Sequence, residues 1–485
     1  MYAFVKFCLP KKRPALLLVP LCLVIFCLVI FCLDNAWAEQ ADSRQLLTQN
    51  QNLGLLSAQC IALSSNPGMS AAGERVAQAR ARLRQAMATW WPSVDITAGG
   101  AHQRLSDRSF ALNRRIAAAT GQDLDQSSMN YSSGLQATWL LFDGFYRSFN
   151  EQRAQAAQLA EEEALNDSRR LLAAAVAQAF LNAQLAQSNI DIAQASTAFY
   201  EKQLDRAQRR YEVGTGAWGD VLNIRVQLNN ARAALLGHER ELQAAEYGLA
   251  TLLGLDDAVL PPHLRLSALA DTPQAPPALP VDAGQLIEEA YNLRADLRRI
   301  EQRLQEADAL TGMVRASLYP QVRIAGVLDG QRQDDFPGSS ADYGNTIAVN
   351  MSWNLYAGGA DKARMVEASH IRREMAYSLA ALRNEIASDI RASLARLNEA
   401  AQQVQLQQET VHLVEENRRL AENAYAEGEY ALIQLNEAQR DLTNNAGRLA
   451  LALISYQSAQ QQLLEASGRI LEPLATLPSN CQPLP

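Results

Sequence analysis

Trp139-Leu140-Leu141-Phe142-Asp143-Gly144 is answered 214 positions later by Trp353-Asn354-Leu355-Tyr356-Ala357-Gly358. Tyr211-Glu212-Val213-Gly214 returns in the same register as Tyr425-Ala426-Glu427-Gly428. Upstream, Pro92 and Val94 return as Pro320 and Val322, but 228 positions later. The register changes once, so the first copy carries 14 extra residues between the two matched tracts. A constant register on either side of one length change describes two tandem copies of a single structural unit, with a loop of variable length at one point.

Working outward from the tryptophans, Tyr343 to Tyr356 alternates. Tyr343, Ile347, Val349, Met351, Trp353 and Leu355 share one face, with Asn345 the exception, and Gly344, Thr346, Ala348, Asn350, Ser352 and Asn354 share the other. Tyr131 to Phe142 sets Leu135, Ala137, Trp139 and Leu141 against Ser132, Gln136 and Thr138. Val94-Ile96-Ala98 and Val322-Ile324-Gly326-Leu328 alternate with more polar neighbours. Period two over about ten residues suits a membrane-spanning strand, apolar to lipid and polar to a lumen. Trp90, Trp91, Phe142, Tyr319 and Tyr356 stand at the segment ends, where an aromatic girdle meets the lipid interface. Within each pair the connection, Leu105 to Asn130 and Asp329 to Asp342, reads as a polar loop. Four strands cannot close a barrel, which needs about eight, so the chain must associate to hide its sheet edges.

The rest reads as helix. From Phe145 to Tyr211, and again from Asp361 to Glu427, there is neither proline nor glycine. About 65 residues make a helix roughly 100 Å long, well beyond globular length. Each run ends at a glycine turn and reverses, into helices expected over 219–253 and 430–466. Shorter helices are expected over 67–89 and 283–318.

The chain opens with Lys6, Lys11, Lys12 and Arg13, an apolar run from Pro14 to Leu33, and Ala36-Trp37-Ala38. This reads as a secretory signal over 1–38, cut after Ala38; the alternative is a retained anchor. Cys27 and Cys32 follow phenylalanines, which disfavours lipidation. The signal holds four of the 44 basic and one of the 52 acidic residues, leaving 40 against 51, net −11. That balance argues against nucleic acid. Cys60 and Cys481 remain, and in an oxidising compartment they either pair as a disulfide or stay free. The organisation expected is a first repeat over 39–254, a Pro-rich linker over 255–282, a second repeat over 283–470 and a tail over 471–485.

The corner Trp139-x-x-Phe142-Asp143-Gly144, the turn from Tyr211 through Gly214, Gly216 and Asp220 to Arg225, and the opening Asn66-Pro67…Arg75-Val76…Ala79-Arg80-Ala81 together resemble the TolC family of outer-membrane channels. The resemblance spans roughly residues 45–470 and rests on order, duplication and spacing. It implies an α+β membrane fold, a homotrimer, a twelve-stranded outer-membrane β-barrel and a helical tunnel across the periplasm. It also implies a passive exit duct with a periplasmic adaptor and an inner-membrane transporter of ABC or RND type. Type I protein secretion is the first expectation and multidrug efflux the alternative; a non-conducting tether is a lesser one.

Family gating positions, six and nine residues after the second hairpin glycine, are Gln434 and Glu437 here. Glu437 would form a ring of like charge favouring cations; Gln434 departs from the acidic pattern. Positions implied to link the hairpins are Asp220 and Tyr425, and the family's basic partner is replaced by Tyr430. An Asp220–tyrosine hydrogen bond would then stand in for a salt bridge. The tips at Gly214 and Gly428 are the implied adaptor-docking surface.

No enzyme signature is present. His102, His238, His263, His370 and His412 lack metal-ligand spacing, and there is no phosphate loop or nucleophile turn. No cofactor or metal is expected.

Overall fold

The computed structural model describes residues 52–119, 125–269 and 282–475. The signal segment, residues 270–281 of the linker and Cys481 lie outside the described residues.

The elements run β1 (Asn52–Leu53), α1 (Leu55–Ser65), α2 (Pro67–Ala88), β2 (Ser93–Arg104), α3 (Asp107–Ala119), β3 (Ser127–Phe142), α4 (Tyr146–Glu212) and α5 (Trp218–Leu252). After the short strand β4 (Arg265–Leu266) come α6 (Ala283–Leu293), α7 (Ala295–Ala316), β5 (Gln321–Gln333), β6 (Tyr343–Ser352), α8 (Ala360–Glu427), α9 (Leu432–Ala466) and α10 (Glu472–Ala475).

The long strands form one antiparallel sheet in the order β2-β3-β5-β6. Its register makes the two faces explicit. Val94 lies opposite Ala137, Ile96 opposite Leu135, Leu135 opposite Leu328, and Ile324 opposite both Trp139 and Val349. The other face aligns Asp95 with Gln136 and Arg323 with Asn350. The apolar face is bare in the isolated chain, with Ile96 83% and Ile347 79% exposed. Apolar exposure on that scale needs a covering phase. Among the described residues no helix is long and apolar enough to cross a membrane.

The duplication extends to backbone conformation. Left-handed residues occur at 144 and 358, 145 and 359, 214 and 428, and 254 and 468, four pairs in the 214 register. Side chains repeat as well. Trp139 Nε1 donates to the Trp90 carbonyl at 2.9 Å, and Trp353 Nε1 to the Leu318 carbonyl at 3.1 Å. These bonds pin each strand exit to the helix that entered the sheet. One core gathers Ala58, Ala62, Val176 and Leu249; a second gathers their counterparts Leu286, Ala290, Ile390 and Leu463.

Three expectations are corrected, and one helix is added. The connection over 105–130 is not all loop, because Ser109 to Ala119 has neither glycine nor proline and forms most of α3. The helix expected over 283–318 is broken at Arg294, whose extended backbone (φ −70°, ψ 120°) separates α6 from α7. The first copy has the same break at Asn66, preceded by an unforeseen helix α1; there Pro67 forces the preceding residue out of the helical region. Strand β6 stops at Ser352 rather than Tyr356, because its partner strand ends at Gln321 and the preceding Pro320 has no N–H to give.

Candidate functional site

The two hairpin turns come together at the end of the molecule away from the sheet. Gly214 (φ 77°) and Gly428 (φ 85°) end α4 and α8 in the left-handed conformation that glycine adopts without strain. In the first turn the Arg210 carbonyl accepts from Thr215 N at 2.9 Å and Gly216 N at 3.0 Å. A β-carbon on Gly216 would lie 2.9 Å from the Arg210 Cβ, so glycine is required there by close approach rather than by φ. The Tyr211 and Trp218 rings meet at a tilt across the turn, 5.1 Å between centroids, and stay half exposed, as does Tyr430 in the other turn.

Between the hairpins runs a polar seam. Phe199, Gln203, Arg206 and Arg210 recur at helical spacing on α4; Arg418, Glu422 and Tyr425 do so on α8. Arg206 donates to Glu422 Oε1 at 2.9 Å, Gln203 to the same oxygen at 3.3 Å, and Arg418 to Oε2 at 2.8 Å. The Arg418 guanidinium lies 5.6 Å from the Phe199 ring. One turn further on, Arg210 donates to the Ala426 carbonyl at 2.6 Å and the Tyr425 carbonyl at 3.4 Å, and lies 5.4 Å from the Tyr425 ring. Asn436 Nδ2 reaches Asn223 Oδ1 at 3.1 Å, joining α9 to α5.

The residues expected from sequence fall around this seam. Gln434 is in the first turn of α9 and caps it, accepting from Ala431 N at 3.0 Å. Glu437 is exposed one turn further along α9, with no ion-pair partner among the described residues. Asp220 lies in the first turn of α5. Among the described residues its carboxylate accepts no hydrogen bond from a tyrosine, but its charge is felt at Tyr425. Burial first, and then the Asp220 charge, raise the Tyr425 phenol above its ordinary pKa, against the opposing pull of Arg210. The guanidinium that meets Tyr425 thus comes from α4, and position 430 contributes no cation. Sequence reading missed Arg210, Arg206 and Glu422; the signal available was the matched helical spacing on α4 and α8. Cys60 is buried and disulfide-bonded.

Part-way along α4, where α9 ends, a buried ionic node joins the two copies. Arg294 holds both Asp296 oxygens at 3.0 and 2.6 Å and donates to the Ala466 carbonyl at 3.2 Å. Arg170 bonds Asp167 at 2.8 Å and Glu465 at 3.1 Å. Burial alone would raise the Asp296 pKa; the hydrogen bond and charge of Arg294, then Arg170 and the Leu297 N–H, outweigh it and hold the carboxyl below its ordinary value.

A family model described as outer membrane efflux protein matches residues 61–255 and 286–469. The toluene efflux pump outer membrane protein TtgC of Pseudomonas putida is 25% identical over 398 residues, covering 80% of this chain and 77% of that protein. Among solved structures, the CmeC outer membrane channel of Campylobacter jejuni superposes with a TM-score of 0.73 at 15% identity, over 90% of this chain and 89% of that one. The outer membrane protein VceC of Vibrio cholerae gives 0.68 at 19% identity, over 85% and 96%. At those identities the structures speak for the fold.

Proposed function

This chain belongs to the outer membrane efflux protein family, and from that premise we propose that it is the outer-membrane exit duct for small apolar or amphipathic compounds in a tripartite pump. The observation that carries the reading is a four-stranded sheet, apolar on one face, joined to helices of 67 and 68 residues. The sheet's free edges, β2 and β6, are in one chain. Three copies, pairing β6 of one with β2 of the next, would close twelve strands into a barrel and leave no edge in lipid. The helices would then continue the barrel as a tunnel through the periplasm, and their tips would meet an adaptor and an inner-membrane transporter.

Small molecules are preferred as cargo because the curated relatives include toluene, solvent and antibiotic efflux components. The expectation of protein secretion leans on the absence of a lipidation signal and on Cys60 and Cys481, of which Cys481 lies outside the described residues. Transport through such a duct is passive, and no catalytic role is proposed. Among the described residues no cluster of histidine, cysteine and carboxylates could hold a metal.

Deletion of the gene tests the cargo. The expected result is greater sensitivity to apolar solvents and greater retention of a fluorescent amphiphile, with secreted proteins unchanged. Unchanged sensitivity with a lost secreted protein would reverse the assignment.

A further inference from the structure

We propose that α3, the helix inserted between β2 and β3, is a clasp between protomers. Its exposed stripe of arginine and apolar residues docks on the β5–β6 loop of the neighbouring protomer, at the outer rim of the barrel. The inference rests on the closed-barrel reading and adds an interaction surface to it. α3 occupies most of the 14 residues by which the first repeat exceeds the second. The segment is tied across its base: Leu105 N donates to the Gln126 carbonyl at 2.8 Å, and Gln126 Nε2 to Asp107 Oδ1 at 2.7 Å. Phe110 and Ala117 supply its half-buried and buried positions. A different face carries Arg108, Leu112, Arg115 and Ile116 at helical spacing. Leu112 and Ile116 are 60% and 61% exposed, and neither Arg108 nor Arg115 has an ion-pair partner among the described residues. The helix holds three arginines against one aspartate.

The β5–β6 loop offers the complement. From Asp329 to Asp342 there are four aspartates and one arginine. Asp334 N donates to the Met129 carbonyl at 2.6 Å and its carboxylate accepts from Met129 N at 2.9 Å, which fixes the loop on β3. Beside it the Asp335 side chain is 70% exposed and Phe336 is half exposed, its ring 6.4 Å from that of Tyr131. Carboxylate and aromatic ring thus stand together, as guanidinium and aliphatic side chains do on α3. Position in the sheet decides which protomer supplies the partner. α3 joins β2 to β3 and the loop joins β5 to β6, so their centres are two strand spacings apart, about 10 Å. Within one chain that gap is not bridged among the described residues: the Asp335 carboxylate meets Arg332 of its own chain at 3.8 Å and no residue of α3. When β6 pairs with β2 of the next protomer, that protomer's α3 stands the same two spacings away, on the loop's other side. It is the next cationic surface along the rim, and contact would cover Leu112, Ile116 and Phe336 together. Opposite charges across the boundary favour this one register over others. The second repeat has no helix at the matching place, so each subunit boundary receives one clasp.

The test places Arg115→Cys and Asp335→Cys together in the full chain, expressed in cells. The cells are treated with a short bis-maleimide, and the protein is run on a denaturing gel beside wild type and each single variant. Linked species of two-chain and three-chain mass are expected from the double variant only. A link at monomer mass, or an oligomer that yields no link, would overturn the clasp and leave the closed barrel standing. A wild-type chain that never forms an oligomer would overturn both. Charge reversal supplies a second measurement. Arg108→Glu with Arg115→Glu, and Asp335→Arg, are each expected to lower by several degrees the temperature at which the purified oligomer dissociates. All three together are expected to recover most of that loss. Losses that add instead would overturn the clasp. So would a loss confined to the arginine reversals and to vesicles of phosphate-bearing glycolipid, which would place α3 on the lipid surface.

Discussion

Gly144 and Gly358 occupy equivalent corners with nearly equal φ, 67° and 63°, yet their surroundings differ. A β-carbon on Gly144 would lie 2.6 Å from the Ala316 carbonyl and 2.6 Å from Tyr319 Cβ; one on Gly358 would meet nothing within 4 Å. Left-handed backbone costs an L-residue about 1–2 kcal/mol. Gly358→Ala is expected to cost about that much, and Gly144→Ala clearly more, since backbone must also move. Melting of the two purified variants side by side checks this, and equal losses would refute it. The neighbouring Asp143 is explained at the same scale. Its carboxylate accepts from Arg147 N at 3.1 Å and Nε at 2.9 Å, and the guanidinium goes on to the Leu141 and Thr89 carbonyls, 4.5 Å from the centre of the Trp90 ring. Both charges are buried. Arg147→Ala leaves a buried carboxylate alone, so a loss of about 3 kcal/mol or more is expected in denaturant unfolding. The second corner has Ala357 and Asp361 at these positions and no such pair.

At the scale of elements, each copy breaks its entry helix and docks the break on the end of its own return helix. Asn66 Nδ2 and Ser65 Oγ donate to the Leu252 and Leu253 carbonyls at 2.9 and 2.6 Å; Arg294 donates to Ala466 O. One break uses proline and an amide, the other a buried ion pair. The ion pair brings a pH dependence. The folded-state pKa of Asp296 is depressed, so its contribution is present above the ordinary value of 3.8 and is lost as pH falls below that value through the folded one. The melting temperature should lose this contribution only on that acid side. Asp296→Asn should be less stable at neutral pH and show a shallower acid fall; a parallel fall would remove Asp296 from the account. These elements differ in how far the sequence exposes them. Strand alternation and proline-free runs are local patterns, so the sheet faces, both long helices and their turns are legible. The break at Arg294 is not, because its cause is a partner at Asp296 and a carbonyl 172 positions away. The tip seam is half legible: Tyr425 and Asp220 follow from position along the chain, whereas Arg210 depends on how α4 and α8 face each other. Helix α3 was hidden by polar composition, which in an exposed amphipathic helix resembles that of a loop.

For the whole molecule, duplication gives a sheet with two unlike ends. Edge β2 has 12 residues and edge β6 has 10, and Trp353 to Tyr356 continues the apolar face beyond the last ladder pair, largely exposed. Pairing between copies would satisfy those edges and cover these residues. The same closure would bring one Glu437 from each chain around a common axis, where like charges favour cations. Planar-bilayer recording of the purified, signal-free protein, wild type against Glu437→Ala, tests the duct and its ring together. The account predicts discrete pores from a trimer, cation-selective in wild type and less so in the variant. A folded, membrane-inserted trimer that never conducts would contradict it.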